Sequence, residues 1–110
     1  MSYRIEENDD CNILHLSGEV DLSRSPAART AILDCLQHQR CLLVDLAEVS
    51  YIDSSGVASL VEGFQVSRQK NLAFALIGVS DSAMSVLRLA RLDQVFPIFA
   101  SHQTWQASRA

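Results

Sequence analysis

Apolar residues follow two patterns that alternate along the chain. In some segments they form short runs or alternate with polar residues, which is typical of β-strands. In the segments between these, apolar residues recur every three or four positions, which is typical of amphipathic helices. The strand-like segments cover residues 3–6, 12–16, 41–46, 72–77 and 95–99.

The first two strand-like segments flank Asn8-Asp9-Asp10, a turn signal, and therefore predict an N-terminal hairpin whose second strand ends at Ser17-Gly18. Ser25, followed by Pro26, predicts the start of a helix that Ser25 caps and that ends near Gln39. The apolar face of this helix consists of Ala28, Ile32, Cys35 and Leu36.

The middle of the chain has the clearest strand and the clearest helix. Residues 41–46 are apolar except for Asp45, which suits a strand buried on both faces of a sheet. After a polar junction comes an amphipathic helix of about four turns, which closes at Lys70-Asn71. Its apolar face consists of Val57, Leu60, Val61 and Phe64.

In the last third, Ser80 or Asp81 is a candidate cap for a third helix. The apolar face of that helix consists of Ala83, Val86, Leu87 and Ala90. Pro97 lacks the N–H that a central strand needs, so residues 95–99 should form an edge strand. The tail, residues 100–110, is polar apart from Trp105 and predicts a frayed helix.

These elements give the order ββαβαβαβ, which predicts an α/β fold with one mixed sheet and helices packed against it. With 110 residues and no linker or repeat, we expect a single domain over 1–110, with its core at about 3–99.

Composition and charge exclude several classes of partner. The net charge of −4 and the pI near 5.2 provide no basic surface for nucleic acid or anionic lipid. No apolar run approaches the roughly 18–20 residues that span a bilayer, so we expect no membrane insertion. The polar, acidic N-terminus MSYRIEENDD does not resemble a signal peptide, and we expect a cytoplasmic protein.

Catalytic and cofactor signatures are also missing. A serine nucleophile needs a base, but His15, His38 and His102 have no local motif and the G-x-S-x-G elbow is absent. The phosphate-binding glycine motifs are absent, so we expect no cofactor. Cys35-x-x-His38-x-x-Cys41 offers three ligands of the four that structural zinc usually takes. We therefore expect packed, reduced cysteines, no metal site and no enzyme activity.

The junction VSYIDSSGV, residues 49–57, is the one chemically unusual stretch. One of its polar residues should cap the following helix, and Ser55 is the candidate. Since one hydroxyl suffices for a cap, Ser54 is left exposed at the helix start. Helix N-termini tolerate phosphate, and a phosphoserine there would add charge without breaking the fold. Ser54 is therefore a candidate modification site.

Three segments together resemble the STAS domain family, specifically its standalone bacterial anti-sigma factor antagonists of the sporulation and stress-response type. They are LSGEVD (16–21), LLVDLAEVSYIDSSGV (42–57) and LAFALIGVSDSAMSVLRLARLDQVF (72–96), and the resemblance covers about residues 10–99. It implies a mixed, mostly parallel sheet of four to five strands with helices largely on one face. DSSG after a strand ending in DL is the most specific part.

The resemblance also implies a function. In these antagonists the hydroxyl after the aspartate, here Ser54, is phosphorylated. The unmodified protein binds an anti-sigma factor that is also a serine kinase of the GHKL type, and phosphorylation breaks this complex. A PP2C-type phosphatase restores it. The implied partner-binding residues are Asp21, Asp53, Ser54, Ser55 and Gly56.

Two further binding functions are compatible with the same fold. A STAS subunit of an ABC transporter, such as the phospholipid-trafficking type, binds a permease on its cytoplasmic side without phosphorylation. The exposed face of residues 58–65 would serve for such docking. A component of a larger stress-sensing assembly is a third alternative. The sequence does not determine the oligomeric state.

Overall fold

The strand-like segments assemble into one mixed sheet, in the order β1-β2-β3-β4-β5. The structure is a computed structural model that describes residues 1–109. Its strands are β1 Ser2–Glu7, β2 Asn12–Val20, β3 Leu42–Ile52, β4 Phe74–Ile77 and β5 Ile98–Phe99. Its helices are α1 Ser25–Gln37, α2 Ser54–Gln69, α3 Asp81–Leu89 and α4 His102–Ser108, with a short 3₁₀ turn at Leu92–Gln94. The predicted element order is therefore confirmed.

Strand directions explain where the helices lie. β1 and β2 form the predicted antiparallel hairpin, and β2 to β5 run parallel, each beside the next strand in the chain. Right-handed crossovers between successive parallel strands place their helices on the same face of the sheet. Helices α1, α2 and α3 accordingly share one core with that face.

Side chains of a strand point alternately to the two faces, and here both faces are covered. The larger core, beneath α1 to α3, includes Leu14, Leu42, Val44 and Leu76 from the sheet. The smaller core on the opposite face includes Cys11, Ile13, Leu43, Ala75, Ile77 and Trp105. Trp105 belongs to α4, so the tail packs on the sheet and is not a frayed helix as predicted.

β2 and β3 are longer than predicted. β2 continues past Ser17-Gly18 to Val20, and β3 continues past Leu46 to Ile52. The C-terminal parts of β2 and β3 pair mainly with each other, and this pairing contains two register shifts. β4 pairs only with the first part of β3. Because this end of the sheet is less covered, polar residues occur there in strands, and the sequence pattern resembled a loop.

Several predicted boundaries were also too wide. α1 ends at Gln37 instead of Gln39, β4 starts at Phe74 instead of Leu72, and β5 covers Ile98–Phe99 instead of residues 95–99. The edge position of the Pro97 segment is confirmed, since β5 is the last strand of the sheet. Among residues 1–109, no helix is both long and apolar enough to cross a membrane.

Candidate functional site

Asp21 and Asp53 lie next to each other because the strands before them are paired. Val20 and Ile52 are partners at the carboxyl ends of β2 and β3, and the Asp53 N–H donates to the Val20 carbonyl at 3.3 Å. The backbone N–H of Leu22 also stabilises the Asp53 carboxylate. The carboxyl ends of parallel strands are where α/β proteins usually build binding sites.

Asp53 is the N-cap of α2. Its Oδ1 accepts hydrogen bonds from the backbone N–H groups of Ser55 at 3.0 Å and Gly56 at 3.1 Å. The prediction that Ser55 caps this helix was therefore wrong. Ser55 lies in the first turn, and its hydroxyl donates to the same Asp53 oxygen at 2.5 Å. A carboxylate accepts all three bonds at once, which a serine hydroxyl does not.

These donors also determine the charge state of Asp53. The Ser55 hydroxyl, followed by the Gly56 and Ser55 N–H groups, holds the pKa of the Asp53 carboxyl below its ordinary value. Hydrogen bonds to the ionised form of a carboxyl favour that form. Asp53 is therefore a fixed negative charge at the start of α2.

Ser54 is the first residue of α2, and its side chain is exposed. Within residues 1–109 its hydroxyl has no hydrogen-bond partner, in contrast to the neighbouring Ser55 hydroxyl. The inference that Ser54 is the serine left over at the junction thus stands, although Asp53 and not Ser55 provides the cap.

Gly56 is buried in the same first turn, where α2 passes close to the strand ends. A Cβ atom on Gly56 would lie 2.6 Å from Ile52 Cγ1 and 2.7 Å from the Val20 carbonyl oxygen. Only glycine permits this approach, which brings Ser54 over the ends of β2 and β3. Gly56 therefore lies beneath the exposed surface of the site and determines how closely the start of α2 packs on the strands.

Asp21 organises the neighbouring loop and the start of α1. Its carboxylate accepts from the Arg24 N–H at 3.1 Å and the Ser23 hydroxyl at 3.0 Å, and pairs with the Arg24 guanidinium. Burial alone would raise the pKa of Asp21, but Ser23 and Arg24 together keep it below its ordinary value. Ser25, predicted as a cap, lies inside α1 and is buried; Arg24 is at the N-cap without a side-chain capping bond.

Two apolar side chains that the sequence analysis did not single out also belong to this surface. Leu22 is 76% exposed next to Asp21, and Tyr51 is 51% exposed two residues before Asp53. Exposed large apolar residues beside charged ones are typical of protein-binding surfaces. We call the set Asp21, Leu22, Tyr51, Asp53 and Ser54 the switch surface.

The histidines and cysteines make their contacts elsewhere. His15 lies between Asp45, at 2.8 Å, and Glu6, at 2.9 Å, while His38 bonds the Asp34 carbonyl. Neither is hydrogen bonded to Ser54. Cys35 is buried in the larger core, whereas the Cys41 thiol donates to the Asp10 carbonyl, so the Cys35-x-x-His38-x-x-Cys41 spacing does not gather its side chains.

The STAS domain family matches residues 2–105, and the chain therefore belongs to that family. The fold class predicted from the resemblance, a mostly parallel sheet with helices largely on one face, is confirmed. Anti-sigma factor antagonists of this family are non-enzymatic binding modules.

Individual relatives agree with the family assignment. The chain is 32% identical over 101 residues to the anti-sigma-B factor antagonist of Listeria monocytogenes, covering 89% of this chain and 88% of that protein. Among solved structures, an anti-sigma factor antagonist from Mycobacterium paratuberculosis superimposes with a TM-score of 0.85 at 23% identity, covering 99% and 94% of the two chains. The Bacillus cell fate determinant SpoIIAA in its phosphorylated form gives a TM-score of 0.75 at 16% identity, covering 99% and 100%.

Proposed function

We propose that this chain is a phosphorylation-switched anti-sigma factor antagonist. In its unmodified form it binds and sequesters an anti-sigma factor that is also a serine kinase of the GHKL type. The observation that carries the proposal is the Ser54 hydroxyl, exposed and unbonded within residues 1–109, beside a fixed carboxylate on the switch surface. A kinase reaches this hydroxyl without opening the fold.

Electrostatics gives the direction of the switch. A phosphate on Ser54 adds about −1.5 to −2 charges. The backbone N–H groups of Ser55 and Gly56 already donate to Asp53, so these two groups are not free to neutralise the phosphate. The new charge would therefore stand beside Asp53 and near Asp21 on the switch surface. In a closely packed complex this adds repulsion and desolvation cost, which favours dissociation.

The relatives support the same function. The Listeria protein is named an anti-sigma-B factor antagonist, and a protein of the same fold has been solved in a phosphorylated form. By this proposal, a PP2C-type phosphatase removes the phosphate and restores binding. The protein works in the cytoplasm, with Asp21, Asp53, Ser54 and Ser55 in or beneath the contact with the kinase.

The test uses a cognate GHKL-type kinase, ATP and three variants of the chain. Incubation should place one phosphate on the Ser54 peptide, as mapped by mass spectrometry. Ser54→Ala should bind the kinase like the unmodified protein, and Ser54→Asp should bind more than a hundredfold more weakly, which corresponds to about 3 kcal/mol. Ser82→Ala is the matched control, because Ser82 is an exposed serine in the first turn of α3, outside the switch surface, and its loss should leave both phosphorylation and binding intact.

Equal kinase binding by Ser54→Ala and Ser54→Asp would contradict the switch. If the unmodified protein binds no such kinase, the alternative of a transporter subunit that binds a permease without phosphorylation is favoured, and pull-down with the permease would test it.

A further inference from the structure

Three metal-ligating side chains converge at the end of the sheet opposite to the switch surface. Asp10 and Cys11 directly precede β2, and His102 is the first residue of α4. Cys11 is fully buried, whereas the His102 side chain is 17% exposed. The three residues come from two ends of the chain, 91 and 92 positions apart.

The spacing of the ligand atoms is that of a metal site. Cys11 Sγ lies 3.7 Å from His102 Nε2, and His102 Nε2 lies 3.3 Å from Asp10 Oδ1. All three atoms lie within 4.8 Å of one another. Around a tetrahedral zinc ion, sulfur and nitrogen ligands are about 3.6 Å apart and nitrogen and oxygen about 3.4 Å, from the usual zinc–ligand distances. The sulfur–nitrogen and nitrogen–oxygen separations therefore need little adjustment.

We propose that Asp10 Oδ1, Cys11 Sγ and His102 Nε2 bind a divalent transition-metal ion, with Zn²⁺ as the best match. A mixed set of thiolate, imidazole and carboxylate donors suits zinc, and excludes calcium and magnesium, which take oxygen ligands. On binding, a bond forms between zinc and Cys11 Sγ, and the thiol proton passes to solvent.

A second layer of contacts already orients these ligands. The Gln106 side-chain amide donates to Asp10 Oδ2 at 2.7 Å, which holds the carboxylate and leaves Oδ1 directed at His102. The His102 ring is stacked against the Trp105 indole, with their centroids 6.0 Å apart. Such outer contacts are characteristic of metal sites, where they fix the rotamers of the ligands.

Cys41 lies close to these ligands without joining them. Its thiol donates to the Asp10 carbonyl at 2.8 Å, but its sulfur is not among the three ligand atoms that converge. We therefore expect a water molecule at the fourth position of the zinc ion. Metal coordination deprotonates a thiol, so Cys11 would bind as a thiolate.

The ion would fasten the tail to the body of the domain. α4 has seven residues, too few to be stable as an isolated helix. It is held by Trp105 and by the contacts of His102 and Gln106 with Asp10. Zinc would replace the weak histidine contacts with coordinate bonds between the first strand pair and the last helix.

The test is titration of the full chain, freed of metal and fully reduced, with Zn²⁺ in competition with a chromophoric chelator. His102→Gln removes one ligand at the surface, and His38→Gln, at the C-cap of α1, is its matched control. Co²⁺ is the spectroscopic probe, because a cysteine ligand gives a thiolate-to-cobalt absorption band, and Cys11→Ser should abolish that band. Circular dichroism of each metal-free variant checks that it is folded.

We expect one zinc ion per chain and a higher melting temperature with zinc than without. Removing a ligand should weaken binding at least about tenfold, since even outer-layer changes have effects of this size. His38→Gln should bind like the unmodified protein. The proposal is overturned if no one-to-one binding occurs, if His102→Gln binds zinc unchanged, or if His38→Gln loses as much affinity as His102→Gln. If Cys11→Ser is unfolded, the two histidine variants decide the question.

Discussion

The two ends of the sheet are built by different kinds of contact. At the carboxyl end, Asp53 is held by N–H groups two and three residues away, and Ser54 is left free on the surface. At the amino end, Asp10 and Cys11 meet His102 from the other end of the chain. The first arrangement presents a group to a partner, and the second joins two distant parts of the same molecule.

This difference has consequences for stability. A modification at Ser54 meets a helix start that is already capped, so the fold need not change when a phosphate arrives. The amino end depends on the docking of α4, which is short and covers a small core. We therefore expect perturbation of the amino end to loosen the tail alone, and perturbation beneath Ser54 to affect the whole domain.

The largest effect on stability is expected for Trp105→Ala, which removes the main apolar contact of α4 with the sheet. Loss of a buried aromatic side chain typically lowers the free energy of unfolding by about 3–5 kcal/mol, and we expect the lower end because α4 is peripheral. Hydrogen exchange should show lost protection in α4 and around Cys11, but not at the start of α2. Gln103→Ala, an exposed position of α4, should behave like the unmodified protein.

If Trp105→Ala instead removed protection equally from α2, the two ends of the sheet would form one cooperative unit. The expectation that perturbing the amino end loosens only the tail would then be wrong.

A smaller effect is expected for Gly56→Ala, which tests the close approach beneath Ser54. The added methyl would meet the Val20 carbonyl oxygen, part of a backbone that cannot turn aside. We expect a loss of about 2–3 kcal/mol in the free energy of unfolding, measured by urea denaturation. Gln65→Ala, an exposed position of the same helix, is the control and should behave like the unmodified protein.

A Gly56→Ala variant as stable as Gln65→Ala would show that the close approach at Gly56 does not need glycine.

The same contrast explains what the sequence could predict. The start of α2 depends on neighbours in sequence, so Asp53-Ser54-Ser55 between a strand and a helix was enough to predict an exposed serine there, whereas Asp21 joins it only through the pairing of β2 with β3. The prediction of the cap residue was wrong, because aspartate and serine are both favourable at an N-cap position. Only the geometry shows that Asp53, and not Ser55, accepts the hydrogen bonds of the first turn. Leu22 and Tyr51 were missed, since exposure of an apolar residue has no local signal.

The amino end could not be predicted in this way. The sequence spacing drew attention to Cys35, His38 and Cys41, which are close in the chain and do not converge. The residues that do converge, Asp10, Cys11 and His102, become neighbours only because α4 packs on the sheet through Trp105. A single tryptophan in a polar tail was the one available hint that the tail is docked.

The smallest effect is expected for substitution of Asp53, the N-cap of α2. The pH dependence of this effect tests whether the charge at the carboxyl end of the sheet contributes to stability. Asp53→Ala removes an N-cap, which should lower the melting temperature by roughly 5 °C at neutral pH. Asp53→Asn keeps a capping oxygen and should lose less. Because folding lowers the pKa of Asp53, the charged form stabilises the fold above the ordinary carboxyl pKa, and this contribution disappears as pH falls through the lowered value.

The difference in melting temperature between the unmodified protein and Asp53→Asn should therefore be full at pH 7 and shrink below about pH 4. Calorimetry across this range measures it. A difference that stayed constant with pH would mean that the carboxylate charge plays no part in the cap. Asp53 would then hold the start of α2 by hydrogen bonding alone. The Asp53 carboxylate could no longer be invoked as the nearest charge that repels a phosphate on Ser54.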